Sequence, residues 1–295
     1  MRRNKDIKIK TPLLMSEVVW NVIKAILYIF MLVCALSFIL AFVWIFLSSL
    51  KTAPEYLEDC FKLTETFDWD NYAQVIKNLQ YKGYGLFGML GNSMILVLWN
   101  VIVCMTVPHM AAYVIARFEF KGRKLLENVI YASMVIPVVG SASSTMWFLN
   151  STGLFDNFLG IFILQAVGLG FNQIMLTNFY RGVSRTYAEA AYMDGASEWR
   201  VFTQIYYPQA MPITLITVIM SVITTWNDYM TGYLYLPSHP TFALGLQQMQ
   251  ALFVDFGNDY PVMFAGVILS MIPILIIYFI FSKKIMENMA VGAMK

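Results

Sequence analysis

The sequence predicts an all-α, polytopic membrane protein with six transmembrane helices. Three observations carry that expectation: an apolar composition, six apolar windows of spanning length, and a one-sided distribution of basic residues. Of 295 residues, 59% are hydrophobic and only 13% are charged, and the mean hydropathy is +0.62. A soluble domain keeps its surface wet with about a quarter of its residues charged. Here 20 Lys and Arg with 18 Asp and Glu would leave most of a globule of this size uncovered. The composition therefore argues against a soluble enzyme or nucleic-acid-binding module and favours a chain solvated by the lipid bilayer. The net charge of +2 says nothing about partners.

Windows of about 20 apolar residues cross roughly 30 Å of hydrocarbon as helix. Six occur, over Ala25–Leu47, Ser93–Ala116, Val129–Leu149, Phe158–Thr177, Pro212–Leu236 and Val262–Phe281. Arg2, Arg3, Lys5, Lys8 and Lys10 precede the first, as they would a signal peptide. Its apolar stretch of 23 residues exceeds the roughly 7–15 of a signal-peptide core, and no small-x-small cleavage site follows, so it reads as a retained helix. Basic residues favour the inner face of a membrane. With the N-terminus inside, residues 1–24, the run from Arg117 to Lys124, the set Arg181, Arg185 and Arg200, and the tail set Lys283, Lys284 and Lys295 hold 16 of the 20 basic residues. Only Lys51, Lys62, Lys77 and Lys82 fall outside. Both termini are expected to be cytoplasmic, residues 1–24 at one end and 282–295 at the other.

Residues 48–87 then form an extracytoplasmic loop, acidic and aromatic, with Glu55, Glu58, Asp59, Glu65, Asp68 and Asp70 beside Phe67, Trp69 and Tyr72. A short amphipathic helix is expected from about Phe67 to Gln80, with Asp70 as its N-cap. Gly83, Gly85 and Gly88 suggest a flexible entry into the second span. No internal repeat is visible.

Cys34, Cys60 and Cys104 are far apart and odd in number, and the only histidines are His109 and His239. Neither a disulfide framework nor a metal cage follows from such spacing. Within the spans the ionisable side chains, apart from the tyrosines and cysteines that stay neutral near pH 7, reduce to His109 and Asp228. Proton- or ion-coupled carriers need such groups as relays, so a transporter with so few needs another source of energy. His109 follows Pro108, whose missing N–H frees a carbonyl, and a helix–helix hydrogen bond is the expected role. Asp228, near the outer face, reads as a water-exposed or interfacial aspartate, with a relay role as the alternative. Softer polar groups sit in or near the spans: Asn92 and Asn100, then Ser141, Ser143, Ser144 and Thr145, then Gln165, Asn172 and Gln173, and Asn227. Such residues either let helices approach closely or line a polar path suited to an uncharged polyol. Pro137 and Pro273 are expected to kink the third and sixth spans.

The loop between the fourth and fifth spans breaks the apolar pattern. Ala188 to Met193 favours helix, Asp194-Gly195 turns the chain because glycine takes positive φ freely, and Ser197 can cap the next helix. Val201, Phe202 and Ile205 then share one face, and Pro208 closes the unit. Physically this is an ordinary structured loop or a shallow alanine-faced knob for docking. Glu189-Ala190-Ala191, three residues, Gly195, nine residues, Ile205, two residues and Pro208 resembles the EAA loop of ABC importer inner-membrane permeases, with Tyr207 where that family usually has Leu. Ala116 to Arg123, Trp226-Asn227-Asp228-Tyr229, the run from Thr241 to Leu246 and the ending Gly292-Ala293-Met294-Lys295 are similar to the carbohydrate-uptake branch, and to its shorter, six-helix, maltose-permease-like subunit.

That resemblance implies the type I ABC importer permease fold over residues 88–281, with the EAA loop at about 186–208. It implies a second permease subunit, two cytoplasmic ATPase subunits that receive the loop, and an extracytoplasmic solute-binding protein. Glu189, Ala190, Ala191, Asp194, Gly195, Ile205 and Pro208 would then couple to the ATPase, while Ser141, Ser143, Ser144, Asn172, Gln173 and Asn227 are candidates for lining the path. Nothing matches GxxxxGK[ST], so this chain is not expected to be an enzyme or to bind a cofactor, and ATP with Mg belongs to the partner ATPase. Rival readings are a permease for another solute, such as a polyamine, and a self-contained ion-coupled carrier.

Overall fold

Backbone N–H and C=O groups find no partner in lipid except one another, so long apolar segments become helices. The computed structural model describes residues 13–135, 140–166, 170–251 and 259–293. Arg2, Arg3, Lys5, Lys8, Lys10, Pro137, Met294 and Lys295 lie outside the described residues. Among those described, five helical stretches are long and apolar enough to cross a membrane: Val19–Ser48, Leu86–Arg117, Phe158–Gly182, Glu198–Asn227 and Tyr260–Ile280. The remaining expected span, Val129–Leu149, falls on two helices, Arg123–Val135 and Ser141–Ser151, either side of 136–139.

In chain order the helices are α1 (Leu13–Ser48), α2 (Ala53–Glu58), α3 (Asp70–Asn78), α4 (Leu86–Arg117), α5 (Arg123–Val135), α6 (Ser141–Ser151), α7 (Phe158–Ala166), α8 (Phe171–Gly182), α9 (Thr186–Met193), α10 (Glu198–Val201), α11 (Tyr207–Asn227), α12 (Tyr229–Tyr235), α13 (Phe242–Ala251) and α14 (Tyr260–Ala293). Pro273 sits inside α14. The central helix is α4, which packs most extensively on α8 and α11. Helix α1 leans on α14 and leaves its apolar surface open, with none of its most apolar window buried.

Three details of the sequence reading change. Asp70 is the first residue of α3, not its cap; the Asp68 carboxylate accepts from the Asp70 N–H at 3.0 Å. The helix stops at Asn78 rather than Gln80, because Gln80–Tyr81 pairs antiparallel with Tyr84–Gly85. Lys82 (φ +50°) and Gly83 (φ +82°) form the turn between them, the left-handed pair that matches strand twist in a two-residue hairpin. Instead of a flexible glycine entry, α4 thus starts from a defined hairpin, the one departure from all-α structure among the described residues. The third change concerns the fifth span: α11 ends at Asn227, and Asp228 caps the separate α12 by accepting from the Thr231 N–H at 3.1 Å.

Among the described residues three apolar cores hold the bundle, one around Leu96, Leu149, Ile161 and Leu236 and two at the ends of α4. Of the latter, one joins Val75, Leu86, Met89, Val222, Trp226, Phe242, Val262 and Ala265. The other, at the opposite end of α4, joins Ala112, Tyr113, Leu176, Tyr180, Ala188, Val201, Phe202 and Tyr206. At the first, Asn92 and Ser93 of α4 clasp the start of α13: the Asn92 amide donates to Pro240 O (2.9 Å) and the Ser93 hydroxyl accepts from the Phe242 N–H (2.9 Å). Asn71 closes residues 49–71 on their own start, its amide donating to Ser49 O (3.0 Å) and Lys51 O (2.8 Å), and the Trp44 indole of α1 donates to Cys60 O at 3.1 Å.

Candidate functional site

Helix α9 is short, and its end is built from local bonds. Ala196 N–H donates to Ala191 O (2.9 Å) and Gly195 N–H to Tyr192 O (3.0 Å), with Gly195 at φ +77°. This is the Schellman closure, in which a left-handed residue satisfies the last carbonyls. Ser197 caps the following helix as expected, accepting from the Arg200 N–H at 3.4 Å. Glu189, Ala190, Asp194 and Gly195 are exposed, Ala191 is half-buried and Ala188 is buried against the second core. Tyr187, Met193 and Trp199 form an apolar fringe around this helix, 58%, 89% and 62% exposed. A groove of about 340 Å³ runs beside it, lined by Ala191, Asp194, Ala196, Arg200, Gln204 and Ile205.

Pro208 does not close this unit. A wide π turn over Phe202–Tyr206 joins α10 to α11, and Pro208 stands in the first turn of α11. Tyr207 N–H donates to Phe202 O, five residues back. Because proline brings no N–H and its ring crowds the carbonyl four residues before it, the widened turn carries the helix past Pro208 without a break. Val201 and Phe202 are buried and Ile205 is half-buried.

Beneath the exposed helix lies a layer of aromatic rings. Tyr113 packs 4.9 Å from Phe202 and 5.2 Å from Tyr206, and the Arg117 guanidinium lies 4.4 Å from the Tyr206 ring. Arg117 also donates to Val183 O. Glu127 on α5 holds both Arg123, at 3.1 Å, and Arg181 of α8. Glu198, which sequence reasoning passed over, accepts hydrogen bonds from the hydroxyls of Tyr113 (3.0 Å) and Tyr192 (2.7 Å). Burial, followed by the Glu198 carboxylate, pushes the Tyr192 phenol above its usual range. Its O–H therefore stays a donor.

The candidate path residues separate. Gln173 is buried on α8 facing α4; in the amide orientation that satisfies both groups it donates to Pro108 O (2.9 Å) and accepts from the Ala112 N–H (2.7 Å). The Asn172 amide lies 3.9 Å from the Cys104 sulfur. Ser141, Ser143 and Ser144 are exposed on α6, and Asn227 is exposed at the end of α11, donating to Ile223 O at 2.8 Å. His109 is fully buried between Tyr180 and Thr214, the helix–helix role expected of it. Among the described residues no His, Cys, Asp and Glu side chains cluster to hold a metal ion.

A bundle of membrane-length apolar helices, with polar pairs buried between them, defines a polytopic membrane protein, and one capped helix stands exposed at its end. The chain belongs to the family of binding-protein-dependent transport system inner membrane components, whose model matches residues 109–287. It is 28% identical to the diacetylchitobiose uptake system permease protein NgcG of Streptomyces coelicolor, over 92% of this chain and 89% of that protein. It is 24% identical to the arabinooligosaccharides transport system permease protein AraQ of Bacillus subtilis, over 94% and 97%. Its fold matches a chain of a bacterial ABC transporter that imports the acidic polysaccharide alginate, with a TM-score of 0.71, 21% identity and coverage of 96% of this chain and 99% of that one.

Proposed function

We propose that this chain is the membrane subunit of an ATP-driven sugar importer, forming half of the translocation path for a mono- or oligosaccharide. The observation that carries the reading is the exposed α9 with its Schellman closure and apolar fringe, in a chain of the binding-protein-dependent family. Names of relatives that take up diacetylchitobiose and arabinooligosaccharides support a sugar as cargo. In this reading α9 faces the cytoplasm with both chain termini. Glu189, Ala190, Ala191, Asp194, Gly195, Ile205 and Pro208 form the part that meets a separate ATPase subunit, which binds ATP and Mg. A second permease subunit completes the path, and an extracytoplasmic solute-binding protein delivers the cargo.

The arrangement gives each residue a task. The small side chains of Ala190 and Ala191 let a partner approach the helix closely, Glu189 offers an exposed carboxylate to a basic group, and Gly195 fixes the angle at which α9 leaves the bundle. The test is uptake by vesicles holding this subunit with its companion permease and ATPases, driven by ATP and a loaded binding protein. Glu189→Lys should leave membrane insertion intact, retain ATP binding by the ATPases and abolish ATP-driven uptake. Uptake that persists without the ATPases and collapses with the proton gradient would overturn the reading.

A further inference from the structure

Glu198 occupies a position that the importer reading does not itself explain. It is the first residue of α10, where the unpaired N–H groups of a helix start favour a negative charge. Its two carboxylate oxygens are divided between two elements: Oε2 accepts from Tyr113 on α4 and Oε1 from Tyr192 on α9. Tyr113 is only 6% exposed and sits in the aromatic layer with Phe202 and Tyr206. Its hydroxyl therefore reaches a charged acceptor from inside the bundle. Hydrogen bonds to an ionised acceptor are shorter and stronger than neutral ones. Helix α9 is otherwise fixed to the bundle by Ala188, the half-buried Ala191 and the short connections at its two ends.

We propose that Glu198 is a positioning residue that holds α9 in a fixed relation to α4, so that a displacement of α9 reaches α4 directly through Tyr113. The route runs Tyr192 to Glu198 to Tyr113, in parallel with the backbone route through α8 and α11. This rests on the importer reading above, since it names the side chains through which the exposed helix would act. Tyr113 lies on the helix that packs most extensively on both α8 and α11, so a shift there is felt across the centre of the bundle.

Three variants separate positioning from bulk stability. Glu198→Ala removes both acceptors. Glu198→Gln keeps one acceptor and adds a donor that the second tyrosine oxygen can accept, so it restores the bridge without charge. Tyr192→Phe removes one arm and leaves the carboxylate. In vesicles holding the complete transporter, Glu198→Ala should raise the ATP hydrolysed per solute carried by about fivefold or more, with the ATPase still bound. Glu198→Gln, which re-forms the bridge with weaker neutral bonds, and Tyr192→Phe should both fall between wild type and Glu198→Ala. In the purified subunit, amide exchange in residues 186–196 should quicken in Glu198→Ala while residues 96–113 keep their rates. Coupling and exchange equal to wild type in Glu198→Ala would overturn the proposal, as would a Glu198→Gln as damaged as Glu198→Ala. Should Glu198→Ala not assemble, Tyr192→Phe decides: lowered coupling supports the bridge and unchanged coupling overturns it. A wild-type assembly that hydrolyses ATP without moving solute would instead overturn the importer reading, and this proposal with it.

Discussion

His109 of α4 and Tyr180 of α8 meet at 2.7 Å in a site closed to solvent. The tautomer follows from the third partner. The Thr214 hydroxyl donates to Ala210 O at 2.8 Å, so it accepts from His109 Nε2–H at 2.9 Å, and Nδ1 accepts from Tyr180. Tyr180→Phe leaves a buried ring nitrogen without a donor. We expect a loss of about 0.5–2 kcal/mol, the range of hydrogen bonds between membrane helices, read as a lower unfolding midpoint in detergent. Phe at this position keeps the ring that packs on Tyr113 and Tyr206, so the loss reports the hydroxyl.

Gly195 carries φ +77°, and a Cβ there would touch nothing. Any penalty on substitution is therefore backbone strain rather than crowding. Left-handed conformation costs an ordinary L-residue about 1–2 kcal/mol and Asn less. Gly195→Asn should keep α9 closed and retain ATP-driven uptake, whereas Gly195→Val should open the turn. Amide exchange at Gly195 and Ala196, whose N–H groups close the helix, distinguishes the two.

Gly245 on α13 lies so close to α4 that a Cβ would stand 2.5 Å from Met89 Sδ and 2.9 Å from its Cε. Met89 is fully buried, so the flexible end of its side chain must shift within the core to admit a methyl group. Gly245→Ala should cost about 1–3 kcal/mol, as overpacking does. Met89→Ala alone opens a cavity, and the loss in the double variant should be smaller than the sum of the two single losses, because the two changes share one volume. Additive losses in the double variant would refute the close approach as the cause.

Asp156 ties the loop after α6 to the turn after α12. It takes φ +57°, its N–H donates to Tyr235 O at 3.0 Å, its Oδ1 accepts from the Ser238 N–H at 2.9 Å, and His239 Nδ1 lies 3.5 Å away. Burial pushes its carboxyl up, but the Ser238 bonds and then His239 outweigh it and hold the group below its ordinary value. A depressed carboxylate adds stability that is present above the unfolded value, about 4, and is lost as pH falls through the folded one. Asp156→Asn tolerates the same backbone and removes the charge. Its unfolding midpoint should lie below wild type at pH 7 and converge with it as the pH is lowered through the acid range.

Hydropathy located five helical stretches of spanning length, because an apolar run of that length has one stable solution in lipid, while its remaining window, Val129–Leu149, falls on two helices. The boundaries were harder. Pro212–Leu236 reads as one apolar run, yet Asp228 divides it, because its side chain bonds the Thr231 N–H and hydroxyl and opens a new helix. The exposed loop was legible in detail, since Gly195 and Ser197 act on neighbours within three residues. Glu198 was not, because Tyr113 stands 85 residues earlier in the chain. The hairpin at Lys82-Gly83 carried a signal in its flanking tyrosines, Tyr81 and Tyr84, which pair across it. From its polarity Gln173 could join helices or line a path, and only the packing of α8 on α4 shows it aimed at Pro108 and Ala112.

The wide turn at Phe202–Tyr206 sets the angular phase of everything beyond it. It winds more slowly than the regular helix on either side, so tightening it would rotate the remainder of the rod by about 100°, one residue's share of a turn. Val201 and Phe202 face one core while Val222 and Trp226 face another. The two ends of this helix are thus in step only while that loose coil persists, which makes five residues beside the exposed loop the clutch for a face some twenty residues away.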